Sequence, residues 1–164
     1  MDKELNEKIH AFIKSTYRSL EQPDFGFVKK ASSSRPYEPL MKRLRDYAAV
    51  EQMTEADDEV CFVYLLKGRA NIWKLDLSMV GPFGIFMRLS PKCRPEDCVH
   101  QQKDDINAYE RKIVEMLRSG GIRLLTPEDL SAAVDLTLFN TPRAEVTLYQ
   151  ALFCDKPDTP WMTN

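Results

Sequence analysis

The sequence predicts a single α+β domain, an antiparallel β-meander of about three to five strands packed against amphipathic helices, and three observations carry that prediction. Two runs of strand-forming residues, Val60 to Leu66 and Ile72 to Leu77, flank the turn Lys67-Gly68-Arg69-Ala70-Asn71, and a third, Phe83 to Leu89, follows Val80-Gly81-Pro82. Links this short join antiparallel neighbours, because a parallel pair needs a crossover of about a dozen residues or more. The flanking segments instead repeat apolar residues every three or four positions, which is the helical period. With 164 residues the chain holds one substantial core and not two, so residues 1–164 are read as one globular domain with an irregular tail at 155–164.

Taken in order, Lys3 to Leu20 places Leu5, Ile9, Phe12, Ile13, Tyr17 and Leu20 on one helical stripe. Gln22-Pro23-Asp24 ends that helix, and Phe25, Phe27 and Val28 are expected in a short extended segment against the core. Ala31-Ser32-Ser33-Ser34-Arg35-Pro36 reads as a loop whose hydroxyls and arginine are also suited to an anion. A second helix is expected from Glu38 to Gln52, with Leu40, Met41, Leu44, Tyr47 and Ala48 inward and Pro39 in the first turn, where its missing N–H is harmless. The strand at Val60 to Leu66 is apolar on both faces and should be covered on both sides. In the next, Trp73, Leu75 and Leu77 alternate with Lys74 and Asp76; in the third, Phe83, Ile85, Met87 and Leu89 share a face. Asp104 or Asp105 is expected to cap a third helix running to Arg118, with Gly120 as terminator. Ile122 to Leu125 reads as a short strand, and Thr126-Pro127-Glu128-Asp129 as the start of a helix to Leu136. A similar start signal at Thr141-Pro142 favours helix over strand for 146–153, and Trp161 should fold back on the body to bury its indole.

Composition excludes more than it identifies. Basic and acidic side chains number 23 and 25, a formal net charge of −2, and the isoelectric point of about 5.8 lacks the basic excess of a nucleic-acid binder. No leader pattern or long apolar run is present, which points to a cytoplasmic protein without a membrane span. The four cysteines then read as reduced thiols. Six glycines form neither a phosphate loop nor a dinucleotide fingerprint. Ser78, in Leu77-Ser78-Met79-Val80-Gly81, lacks the first glycine of a nucleophile elbow.

The tightest grouping of metal-ligand residue types is Cys93, Cys98 and His100, which falls short of the four ligands of a closed zinc site; no metal and no cofactor are therefore expected. Phe25-Gly26-Phe27-Val28-Lys29-Lys30 resembles the aromatic core of an RNA-recognition motif, although Pro23 and Asp24 stand where that motif has a basic residue and a glycine. That resemblance implies a strand presenting Phe25 or Phe27, with Lys29, Lys30, Lys42, Arg43 and Arg45 on the same side, as a weak nucleic-acid binder. The favoured reading is a non-enzymatic protein-binding or inhibitory module, of the bacterial immunity-protein or antitoxin-like kind. It would meet a protein partner, possibly basic in character, through Glu55, Asp57, Asp58, Glu59, Glu96, Asp97, Asp104 and Asp105. The alternative from another class is a small enzyme or ligand-binding domain using carboxylates or the Cys93/Cys98/His100 loop in a pocket beside the sheet.

Overall fold

The computed structural model describes residues 1–54 and 59–161. In chain order the elements are α1 (Lys3–Tyr17), α2 (Gly26–Ser34), α3 (Glu38–Leu44), β1 (Ala49–Gln52), β2 (Cys61–Lys67), β3 (Ile72–Ser78), β4 (Phe83–Leu89), β5 (Pro95–Cys98), α4 (Ala108–Ser119), β6 (Arg123–Leu124), α5 (Pro127–Leu130) and α6 (Leu148–Leu152). A short 3₁₀ turn, Arg143–Glu145, precedes α6. The expected α+β architecture is present: β1 to β5 lie side by side in chain order, each antiparallel to the one before. β6 makes the sheet mixed by pairing parallel to the start of β4, so that it shares the outer side of β4 with β5. No described helix is long and apolar enough to cross a membrane.

Alternation along the central strands separates two apolar layers, one on each face of the sheet. Phe62, Tyr64 and Leu66 of β2, Trp73, Leu75 and Leu77 of β3, and Phe86 of β4 pack with Leu40, Met41 and Leu44 of α3 and with Ile113, Val114 and Leu117 of α4. On the other face Cys61, Val63, Ile85 and Met87 meet Ile9, Ile13 and Tyr17 of α1 and the C-terminal residues Leu148, Tyr149 and Phe153. Helix α4 begins with a reciprocal capping box, Asn107 accepting from the Glu110 N–H and Glu110 accepting from the Asn107 N–H. The cap is thus Asn107, downstream of both aspartates considered for it. Thr126 does cap α5, and Thr147 caps α6, which makes 148–152 helical. Trp161 packs edge-on against Tyr149 at 5.2 Å.

Several local expectations are overturned. α1 ends at Tyr17, where Arg18 turns to a φ of 63°. Residues 26–34 are helical, not extended and loop, because the Asp24 carboxylate accepts the Gly26 N–H at 2.8 Å and Phe27, Val28 and Ala31 then align on one helical side facing the body. The second helix stops at Leu44, and Ala49–Gln52 pairs with Tyr64–Lys67 instead. Without that pairing the outer N–H and C=O groups of β2 would form a bare edge. Tyr47, expected on the buried stripe, is exposed, and its carbonyl accepts the Tyr109 hydroxyl. The 93–100 segment, read as a polar loop, contains β5, and α5 ends at Leu130.

Candidate functional site

Among the acids singled out from the sequence, Glu55, Asp57 and Asp58 lie outside the described residues. Glu59 is half-buried and bridges to Cys154. The remaining four lie on β5 and the loop after it, and Arg88 draws two of them together. Its guanidinium grips Glu110 with two bonds of 2.7 Å, and its Nη1 reaches Asp105 at 3.2 Å and Asp97 at 3.4 Å. Lys103 pairs with both Asp97 and Asp105. Burial works to raise the carboxyl of Glu110, yet the bonds from Arg88 and Trp73 override it and hold the group below the usual glutamate range. Asp97 and the exposed Asp105 are therefore tied into a structural ion cluster, whereas Glu96 and Asp104 are exposed and join no ion pair among the described residues.

The other sequence candidates do not assemble into a reacting centre. Cys93 is exposed in a tight turn with a φ of 57°, while Cys98 is buried against the sheet and burial pushes its thiol up to about 12. A thiol held protonated is a poor nucleophile and a poor metal ligand. Among the described residues no group of three or more His, Cys, Asp or Glu side chains is placed to hold a metal ion. His100 borders a cavity of about 470 Å³ with the Met1 amino group, Arg123, Glu128 and Asp129. Burial and then Lys103 hold its imidazole below the usual histidine range. The acids beside it are engaged, Asp129 in capping Thr126 and Glu128 with the Met1 amino group. Phe27 lies on α2 and Phe25 immediately precedes it, so neither is on the strand that the RNA-recognition resemblance requires; both are half-buried, and their rings pack edge-on to Tyr17 at 5.1 and 5.5 Å. Of the cations named with them, Arg45 is paired with Glu38 at 2.8 Å and Arg43 donates to Ser119.

The burial of Asp76, which the sequence offers only as one of several carboxylates, and the exposure of Phe139 emerge from the fold. Asp76, on the face of β3 opposite Trp73, is 2 % exposed and sits between Val63 and Ile85. Its Oδ2 pairs with Lys74 at 2.7 Å, while Oδ1 has no hydrogen-bond partner among the described residues. Burial raises the Asp76 carboxyl, and Lys74 counters it only in part.

The second feature is Phe139, which is 86 % exposed. Its segment is pinned from both sides, with the Thr137 N–H donating to the Leu20 carbonyl at 2.9 Å. One oxygen of Asp155 accepts the N–H groups of Phe139 and Asn140, each at 2.8 Å. The ring lies 5.4 Å from Phe25, which stacks on Phe27 at 6.3 Å, so the exposed phenyl caps an aromatic row rooted in the buried Tyr17. The signal available in the sequence was a large apolar residue immediately before Asn140-Thr141-Pro142, where turn chemistry calls for small or polar types.

The chain matches no protein-family model, and neither a curated protein nor a solved structure is significantly similar to it.

Proposed function

We propose that this chain is a non-enzymatic protein-binding module whose anchor is Phe139, and that its role is inhibitory, in the manner of a bacterial immunity protein or an antitoxin-like chain. The single observation behind this reading is a phenyl ring left 86 % exposed on a backbone held by two hydrogen bonds to Asp155. Exposed apolar residues are ordinary when scattered and mobile. A ring fixed in place beside further aromatic area has the features of an interface anchor, because little freedom remains to be lost when a partner covers it. The exposed acids Glu96 and Asp104 are secondary under this reading, serving to steer a basic region of the same partner.

The test is affinity capture from host lysate with the wild-type chain and with Phe139→Ser in parallel, followed by assay of any captured enzyme. A stoichiometric partner that is retained by the wild type, lost with the variant and inhibited when bound supports the proposal. A partner held equally by both removes Phe139 as the anchor, and a bound partner with undiminished activity removes the inhibitory role.

A further inference from the structure

Next to Phe27 the surface opens into a groove of about 540 Å³ between the end of α1, helix α2 and the corner joining β3 to β4. Phe27 and Met79 supply its apolar wall, and Arg18, Lys30, Ser15 and Ser34 supply its polar rim. The groove is continuous with the aromatic row, since Phe27 stacks on Phe25 and Phe25 contacts Phe139.

The charged residues lining the groove are Arg18, Lys30 and Asp24, a formal balance of +1 that resides on Lys30. Asp24, the one carboxylate of the lining, is committed twice, to Arg18 at 3.4 Å and to the Gly26 N–H at 2.8 Å. Lys30 has no ion-pair partner among the described residues. Helix α2 carries Lys29 and Lys30 and no acid at all. Backbone conformation adds an independent argument. α1 and α2 both end on an arginine with positive φ, Arg18 at 63° and Arg35 at 47°, where glycine is the unstrained choice. Arg18 lines the groove, and Arg35 lies between two residues that do, Ser34 and Pro36. Arg18 thus borders the groove at a position where the backbone alone disfavours it, and Arg35 repeats the pattern at the end of the next helix.

We propose that the groove receives an acidic segment of the protein partner, with carboxylates meeting Lys30 first and then the outer side of the guanidinium of Arg18, a side chain that stays 78 % exposed while paired with Asp24, and with an adjacent apolar side chain covering Phe25 and Phe139. This rests on the reading of Phe139 as an interface anchor and adds the partner's chemistry: at this surface it is acidic, the reverse of the partner charge expected from the acidic runs. A protein segment is favoured over a small anion because the cationic rim and the aromatic row form one continuous surface, which calls for a ligand bearing both kinds of group.

The experiment uses the full chain, isotope-labelled, in NMR titrations with short acetylated peptides in which one phenylalanine adjoins a run of glutamates, glutamines or lysines. The expected result is that the glutamate peptide binds most tightly and shifts the amides of Arg18, Lys30, Ser34 and Phe139. Lys30→Glu should weaken that peptide about fivefold, as expected when one exposed attraction becomes a repulsion, and should strengthen the lysine peptide. Lys30 is exposed, so this variant keeps the fold, which its unchanged amide spectrum elsewhere will verify. If Phe139→Ser abolishes binding of every peptide while Lys30→Glu changes none, the groove proposal fails and the anchor reading stands. If Phe139→Ser changes nothing, the anchor reading fails and takes the proposal with it. A preference for the lysine peptide, or no binding by any peptide, also overturns the proposal.

Discussion

Lys74→Met should be among the most damaging single substitutions on the surface of β3, although it leaves an apolar chain of similar length in place. The wild-type ammonium is 2.7 Å from a carboxylate that is 2 % exposed, while the lysine side chain itself is 27 % exposed. Removing the cation leaves the Asp76 carboxyl between Val63 and Ile85 with no other donor among the described residues. Breaking one side of a buried pair costs about 3–5 kcal/mol. Protonation sets a ceiling: keeping an aspartate of ordinary affinity neutral at pH 7 costs about 4 kcal/mol, so the predicted loss is about 3–4 kcal/mol. The reverse change, Asp76→Val, should cost no more than about 1 kcal/mol, because the partly exposed Lys74 can turn its ammonium to water along a flexible stem. The double variant Lys74→Met/Asp76→Val should be at least as stable as Asp76→Val alone. Urea unfolding at pH 7 and pH 5 reads all three. In Lys74→Met the folded carboxyl binds its proton more tightly than the unfolded one, so stability is greatest at low pH and is lost as pH rises through the folded value. Acidification to pH 5 should therefore restore part of the loss. A Lys74→Met loss below about 1 kcal/mol, a loss independent of pH, or a larger loss for Asp76→Val would each refute the reasoning.

Glu110→Gln replaces a buried carboxylate that accepts two bonds from Arg88, one from the Trp73 indole and one from the Asn107 N–H. It should lower unfolding free energy by about 3–5 kcal/mol in urea titrations. Because the folded carboxyl of Glu110 is depressed, its contribution is present above the unfolded value of about 4.3 and fades as pH falls through the folded one, so the variant should lack part of the wild type's acid sensitivity. Asp155→Ala should speed hydrogen exchange at the Phe139 and Asn140 amides by about tenfold and reduce stability by about 1 kcal/mol, the worth of the bonds removed. Gly84→Ala would put its methyl 3.1 Å from both Ile122 and Leu77 and 3.2 Å from the Asp76 carbonyl. The strain where β4 meets β6 should appear as about 1–3 kcal/mol of lost thermal stability in calorimetry.

The candidate site was less legible than the fold. The acidic residues were visible, but the sequence does not show that Arg88, on β4, consumes Asp97 and Asp105 and leaves Glu96 and Asp104 exposed. Arg88 meets Asp97 only because β4 pairs with β5, and meets Glu110 only because α4 lies across the Trp73 face. Phe139 could be noticed as an apolar residue in a turn, yet its fixed exposure depends on Asp155, and its aromatic neighbour Phe25 comes from the opposite end of the chain. The groove requires α2 to be a helix, whereas the sequence pattern divides the residues that form it between an extended segment and a loop.

What the sequence by itself determined is the central meander, the two amphipathic helices α1 and α4, and the start of α5; it placed the start signal of α6 at Thr141-Pro142, where the chain makes only a 3₁₀ turn before the helix begins at Leu148. The elements it determined depend on interactions that close within a few residues: alternation across a pleat, a three- to four-residue stripe, a short turn and a reciprocal cap. Tertiary structure decided that 49–52 and 95–98 would become outer strands, and packing of Phe27, Val28 and Ala31 on the body joined the local Asp24 bond in making 26–34 a helix. It also decided that Asp76 would be buried and Phe139 exposed. Short segments of weak local preference take the conformation that satisfies a distant partner's hydrogen bonds or covers its apolar surface, and an isolated side chain is buried or exposed according to what folds over it.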